Sequence, residues 1–265
     1  MTFLVSQISD GGVHSHITHL FALLETAKQV GVPHAYVHFF GDGRDTAPTS
    51  ATQYLQQLLD FVKKEKYGEL ATIVGRYYAM DRDKRWERIK IAVEGLVNGD
   101  GEDGKGHSGA VGVVEENYKK NITDEFLRPI IVNGSEGRVQ GTVDNACVER
   151  PSDRLWAEGD TLFFFNYRSD RMREIATVFG KVEDVVDTRI PKDLVRLSRI
   201  NRMACSERLQ GIFTMSSYKS TFPFLVAFPP QKMDNVLAEW LAKQDVSQSH
   251  VAGNLNSVER LRAHS

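Results

Sequence analysis

Basic side chains are concentrated in one short stretch of a chain that is slightly acidic overall. The segment GRYYAMDRDKRWER, residues 75–88, contains four arginines and one lysine, whereas the 265-residue chain has a formal net charge of -2. Guanidinium groups bind phosphate and carboxylate through paired, charge-assisted hydrogen bonds. The alternative is a solvated helix whose interleaved acidic residues pair with the basic ones. That alternative accounts for Lys84, Arg85 and Arg88. It does not account for Arg76, which follows a strand pattern and a glycine.

A second segment, GDGRDT, combines a cation and a carboxylate next to flexible backbone. Its glycines allow the main chain to approach a ligand closely. Arg44 can grip an anionic oxygen while Asp45 accepts a hydrogen bond from a hydroxyl, which suits a phosphorylated hydroxy acid. The alternative is a surface ion pair in a turn.

A third segment, NYRSDR, places two arginines where a strand pattern gives way to a helix pattern. Arg168 and Arg171 are three positions apart and can therefore face the same side of the helix start. An ion pair between Arg168 and Asp170 is the equally simple structural explanation. The motif alone does not choose between the two.

The segment SDGGVHSH contains a histidine pair that resembles a metal-binding motif. His14 and His16 lie where the chain turns into a helix, and side chains two apart on a helix diverge by about 200°. The pair is therefore discounted as a metal site. His16 and His19 are expected to be exposed helical residues, and His14, nearest the strand end, is the candidate functional residue.

Strand and helix patterns alternate along the chain and place these motifs. Strands are expected at TFLVSQIS, HAYVHFF, ELATIV and LQGIFTM, and DTLFFFNYRSDR is expected to be a buried strand followed by a loop. Amphipathic helices are expected after the first three strands, and a hairpin in PIIVNGSEGRVQGTV. The Gly-rich segment NGDGEDGKGHSG is expected to be a mobile surface loop. The pattern predicts an α/β fold, a mostly parallel sheet with helices on both faces, plus a β-hairpin.

Ligands bind such sheets outside the carboxyl ends of the strands. The segments that follow the strands would meet there and form a pocket for a small polyanion. The candidate residues are His14, Arg44, Asp45, Arg76, Arg82, Arg168 and Arg171.

Composition limits the other possibilities. The net charge argues against non-specific nucleic-acid binding, and no apolar run is long enough to span a membrane. The first residues lack the basic start of a secretory signal. The two cysteines, Cys147 and Cys205, have no metal-ligand spacing, so a reducing, cytoplasmic location is expected.

Together the motifs resemble those of cofactor-independent (2,3-bisphosphoglycerate-independent) phosphoglycerate mutase. The matching text is SDGGVHSH, GDGRDTAP, GRYYAMDRDKRWER and NYRSDR, and VAFPPQKMDNVLAEWL resembles the segment that leads out of one domain of that family. The resemblance extends from about Ile8 to Ala252. It implies a transferase domain over residues 1–225, a hinge with the start of a phosphatase-like domain over 226–252, and an atypical tail over 253–265.

The resemblance also implies chemistry. A serine of the phosphatase-like domain would take the phosphoryl group from 3-phosphoglycerate, and the trapped glycerate would accept it back as 2-phosphoglycerate in glycolysis. The seven candidate residues would bind phosphoglycerate, with Asp45 as the proton-handling partner of the hydroxyls. The family uses two manganese ions and no 2,3-bisphosphoglycerate.

The family segments with the serine and the manganese ligands have no match in this sequence, so the chain alone is expected to be inactive. It is also expected to be a monomer that binds neither nucleic acid nor membrane. Two alternatives remain. One is a non-catalytic module that binds phosphorylated hydroxy acids, or an inactive fragment. The other is a metal-dependent hydrolase built on the histidine pair.

Overall fold

The structure is a computed structural model, and it describes residues 1–134, 161–180, 190, 194 and 211–249. The chain divides into two compact units, Met1–Pro229 and Pro230–Ser265. The first unit contains the sheet and every candidate site residue.

Among the described residues, one eight-stranded sheet organises the first unit. Its strands are β1 (Thr2–Gln7), β2 (Ala35–Gly41), β3 (Glu69–Gly75), β4 (Glu102–Asp103), β5 (Ile130–Ile131), β6 (Thr161–Phe164), β7 (Ile212–Thr214) and β8 (Leu225–Val226). They lie in the order β4-β5-β3-β2-β1-β6-β7-β8. All neighbours pair in parallel except β3 and β5, which are antiparallel.

Helices cover both faces of the sheet. They are α1 (Ile17–Gln29), α2 (Ala51–Glu65), α3 (Arg76–Ala79), α4 (Trp86–Asn98), α5 (Gly106–Lys119) and α6 (Arg173–Gly180). Alternating residues of β1 point to opposite faces, as the two-residue period of a strand requires. Phe3 and Val5 pack in the core that contains α4 and α6, whereas Leu4 packs in the core that contains α1, α2 and α5. The α/β fold expected from the sequence is confirmed.

Three local expectations had different outcomes. The Gly-rich segment is not a simple loop: it contains β4 and the first turns of α5. A Cβ at Gly101 would collide with the backbone of Pro129, so this glycine serves close strand packing rather than mobility. The second arm of the expected hairpin lies outside the described residues. The short helix α3 was not expected.

The second unit contains one described helix, α7 (Leu237–Lys243). None of its residues is buried, and Leu237 and Trp240 are exposed. Among the described residues, no helix of either unit is long and apolar enough to cross a membrane.

Candidate functional site

Arg76 lies at the carboxyl end of β3 and is the most buried of the candidate arginines, with 3% of its side chain exposed. Its Nη1 donates to Asp42 Oδ1 at 2.7 Å and to Asp45 Oδ2 at 2.6 Å. Burial alone would raise the pKa of Asp45, but hydrogen bonding to Arg76 and its charge hold that pKa below the ordinary value. Arg76 and Asp45 therefore form a fixed ion pair.

Asp42 organises the turn after β2. Its carboxylate accepts hydrogen bonds from the Ser9 hydroxyl at 2.7 Å and from the backbone amides of Arg44 and Asp45 at 3.2 and 3.0 Å. The turn thus presents Arg44 and Asp45 in one conformation. Sequence reasoning missed Asp42, although the strand end Gly41-Asp42 was a usable signal.

His14 is buried beside Arg76, with Nε2 at 3.1 Å from Arg76 Nη2. A guanidinium can only donate, so Nε2 accepts and the ring proton lies on Nδ1. Burial and the nearby charge of Arg76 lower the pKa of His14 to about 4. The imidazole is therefore neutral at neutral pH, with an Nδ1–H that faces Asp170 at 3.8 Å and has no hydrogen-bond partner among the described residues.

Asp170 lies between the buried His14 and two exposed arginines. Arg82 Nη1 lies 3.1 Å from Asp170 Oδ2, and Arg168 Nε lies 3.0 Å from Asp170 Oδ1. The side chains of Arg82 and Arg168 are 49% and 48% exposed. Burial raises the pKa of Asp170, but the charge of Arg168 and the hydrogen bond from Arg82 outweigh it and lower that pKa. Both arginines remain open to solvent on their other sides.

The two remaining arginines lie around the same edge. Arg171 donates to the carbonyl of Met80 at 3.1 Å, and burial and the charges of Arg76 and Arg82 lower its pKa. Arg44 is exposed and lies 3.5 Å from Glu125. The structure thus brings the candidate residues from four segments to one edge of the sheet.

A turn distant in sequence supports two of these segments. The 3-10 turn Asp124–Phe126 packs against the ends of β2 and β3, and a Cβ at Gly75 would collide with the backbone of Glu125. Asp124 accepts from the amides of Ser50 and Ala51, both at 2.8 Å, and so caps α2. Tyr118 also donates to Asp124. Sequence reasoning did not identify this turn.

Buried amides line the floor of the edge at the ends of β1 and β6. Asn166 is fully buried and accepts from the Gln7 amide at 3.1 Å and from the Ser6 hydroxyl. Gln7 Nε2 in turn lies 3.4 Å from Asp45 Oδ2. Gln7 Oε1 and Asn166 Nδ2 have no hydrogen-bond partner among the described residues. The floor is therefore polar, which suits a ligand with hydroxyl groups.

The histidines after His14 differ from expectation. His16 precedes α1 and caps it by accepting from the Thr18 amide, and both His16 and His19 are half-buried rather than exposed. The ring centroids of His19 and Tyr167 are 5.8 Å apart in an edge-to-face arrangement, a packing contact that accounts for the partial burial of His19. In the described part of the chain, no three His, Cys, Asp or Glu residues are grouped so that they could hold a metal ion.

An α/β domain that gathers arginines at the carboxyl edge of its sheet is a candidate for binding anions there. Residues 2–220 match the family model described as BPG-independent PGAM N-terminus (iPGM_N). The chain belongs to this family of 2,3-bisphosphoglycerate-independent phosphoglycerate mutases, which confirms the family expected from the motifs.

Curated relatives agree with this assignment. The chain is 47% identical over 252 residues to the 2,3-bisphosphoglycerate-independent phosphoglycerate mutase of Onchocerca volvulus, covering 94% of this chain and 42% of the relative. It is 47% identical over 251 residues to that of Caenorhabditis elegans, covering 94% of this chain and 41% of the relative. The chain thus spans well under half the length of these relatives.

A solved structure supports the fold. Phosphoglycerate mutase from Leishmania mexicana, determined at low cobalt concentration, superposes with a TM-score of 0.66 at 23% identity. The match covers 92% of this chain and 41% of the Leishmania chain. At this identity the likeness shows the α/β fold alone.

Proposed function

We propose that this chain holds phosphoglycerate in a phosphoglycerate mutase that interconverts 3-phosphoglycerate and 2-phosphoglycerate. The observation that carries the proposal is the convergence of His14, Asp45 and the five candidate arginines at one sheet edge. Its support is twofold: the relatives are named as 2,3-bisphosphoglycerate-independent phosphoglycerate mutases, and the edge offers several open guanidinium groups.

In this proposal, the role of each arginine follows from how exposed its side chain is. Arg82 and Arg168 bind the phosphate or carboxylate, because their guanidinium groups are half exposed and can turn toward a ligand. Arg44 and Arg171 add positive charge around the same position. The Nδ1–H of His14 donates a hydrogen bond to an oxygen of the ligand.

Asp45 is the proposed partner of the glycerate hydroxyls. Arg76 keeps the Asp45 carboxylate ionised by lowering its pKa, so the carboxylate accepts a hydrogen bond from a hydroxyl. Base strength falls with pKa, so the geometry favours an orienting role over proton transfer. Holding glycerate in one orientation keeps the return of the phosphoryl group within the same enzyme molecule, where good orientation lowers the barrier by several kcal/mol.

The phosphoryl carrier and the metal ions of the proposed reaction are assigned to the rest of the family protein. The described residues do not form a metal cluster, so we assign no step of this chain to a metal ion. Manganese, a role in glycolysis, a cytoplasmic location and a monomeric state are further parts of the proposal. So is the division into residues 1–225, 226–252 and 253–265.

Two assays test the proposal on the purified 265-residue chain. Calorimetry with 3-phosphoglycerate should show saturable binding that excess 2-phosphoglycerate displaces and that excess sulfate displaces only weakly. A coupled assay for 2-phosphoglycerate with manganese present should show at most trace turnover beside a full-length relative. Absence of 3-phosphoglycerate binding would contradict the proposal. Turnover equal to the full-length relative would contradict the division of labour.

A further inference from the structure

The turn between α3 and α4 supports Arg82 and is organised by a neighbouring carboxylate. Asp81 is buried, and its Oδ2 accepts hydrogen bonds from the backbone amides of Asp83 and Arg85, each at 2.9 Å. Arg88, from α4, donates to Asp81 Oδ1 at 3.2 Å. These contacts fix Asp81, Asp83 and Arg85 within the turn, residues 81–85.

Lys84, in the middle of this turn, has a φ of +60°. A residue with a Cβ adopts this left-handed conformation only when its surroundings hold it there. The holding contact comes from α6, ninety positions later in sequence: Glu174 Oε1 accepts from the Lys84 amide at 2.8 Å. Arg171, one turn earlier on the same segment, binds the Met80 carbonyl at 3.1 Å.

Glu174 is an unusual residue for this position because it is buried, with 7% of its side chain exposed. Burial and the negative charges of Asp81 and Asp83 together raise its pKa to about 7, against the hydrogen bond from the Lys84 amide, which lowers it. Glu174 Oε2 has no hydrogen-bond partner among the described residues. The Lys84 amide is the donor that faces Glu174 from the turn.

We propose that Glu174 is a positioning residue for phosphoglycerate binding: its carboxyl, joined to the Lys84 amide, holds the turn that aims Arg82 at the anion site. This inference rests on the proposed function. Glu174 does not touch the ligand and acts through the turn alone. A glutamine at this position would keep the contact with the Lys84 amide, since its side-chain oxygen accepts the same hydrogen bond and carries no charge.

The first test compares Glu174→Ala and Glu174→Gln by calorimetry with 3-phosphoglycerate at pH 6.5. Loss of one hydrogen bond to a backbone amide weakens binding by about 3- to 10-fold if the turn loosens. We expect this loss for alanine, with circular dichroism unchanged, and affinity within about twofold of wild type for glutamine. Equal binding by all three proteins would overturn the inference.

The second test uses pH. As pH rises from 6 to 8.5, Glu174 ionises near the charges of Asp81 and Asp83, whose repulsion loosens the turn, so wild-type affinity should fall relative to that of Glu174→Gln. Taking the ratio of the two dissociation constants removes the ionisation of the ligand and of all other residues. A ratio that stays constant over this range would contradict control of the turn by the Glu174 carboxyl, and a role limited to folding would not produce the trend.

The third test needs no ligand and separates the two proposals. Backbone hydrogen exchange at Lys84 should be several-fold faster in Glu174→Ala than in wild type, and unchanged in Glu174→Gln. If wild type fails to bind 3-phosphoglycerate, the proposed function fails, whereas the exchange rates still test whether Glu174 holds the turn. Equal exchange in wild type and Glu174→Ala would overturn the inference.

Discussion

Arg76 and the pair Arg82 and Arg168 have the same side chain and lie at the same sheet edge, yet their surroundings differ. Arg76 is buried, and one of its nitrogens is shared between Asp42 and Asp45. Arg82 and Arg168 are about half exposed and share the single carboxylate of Asp170. The buried arginine is part of the structure of the site, whereas in the proposed function the exposed ones exchange Asp170 for a ligand.

The largest expected effect follows from removing the buried cation. Arg76→Ala leaves Asp42 buried without its partner, which is expected to lower the free energy of unfolding by about 3–5 kcal/mol. Urea denaturation measures this change. Arg85→Ala, which removes the same charge from an exposed side chain, is the control and should change stability by less than about 0.5 kcal/mol. Similar values for both variants would remove the distinction between buried and exposed arginines.

The next effect concerns acid stability. The pKa of His14 is lowered to about 4 in the folded protein. As pH falls below about 6.5, His14 is therefore protonated in the unfolded chain before it is protonated in the folded protein. Folding stability contributed by neutral His14 is therefore present above pH 6.5 and is lost toward pH 4, by up to about 3 kcal/mol. Denaturation of His14→Gln and wild type at a series of pH values measures this. Parallel curves would show that burial and the charge of Arg76 do not hold His14 neutral.

The third effect is on binding. Arg168→Ala should weaken 3-phosphoglycerate binding by about 10- to 150-fold, the loss of one charge-assisted hydrogen bond, with little change in stability because the side chain is exposed. Lys63→Ala, an exposed lysine near the end of α2, removes an equal charge away from the site. If calorimetry gives equal losses of affinity for both variants, binding depends on the overall charge of the chain and not on a site at this sheet edge.

The smallest effect is expected at Arg88. Its guanidinium lies over the Tyr77 ring, 3.9 Å from the centroid, and binds Asp81, so it is occupied within the protein. Arg88→Ala should change 3-phosphoglycerate affinity by about twofold or less while lowering the free energy of unfolding by about 1 kcal/mol. A loss of affinity as large as that of Arg168→Ala would extend the ligand site to α4.

The sequence predicted which segments meet at the sheet edge, because each strand pattern and the segment after it can be recognised from neighbouring residues alone. It did not predict which arginines are buried, since the partners of Arg76 become visible only when β2 and β3 lie side by side. The roles of Asp42, Asp124 and Glu174 were missed for the same reason. Each is a carboxylate without a recognisable spacing, and each contacts a segment far from its own position in the chain. The roles of the candidate site residues themselves stay predictions.

The turn Asp124–Phe126 has a consequence for the order in which the chain folds. The loops it supports, which include Arg44 and Arg76, are synthesised long before it, and Asp124 lies 74 positions after Ser50. Asn166 joins its partner Ser6 across 160 positions. Contacts between residues so far apart in sequence form slowly, because the long intervening loop must first lose conformational entropy. During synthesis on the ribosome, the first strands and helices are therefore expected to dock early, and the arginine edge acquires its final shape only after residues of β6 have emerged.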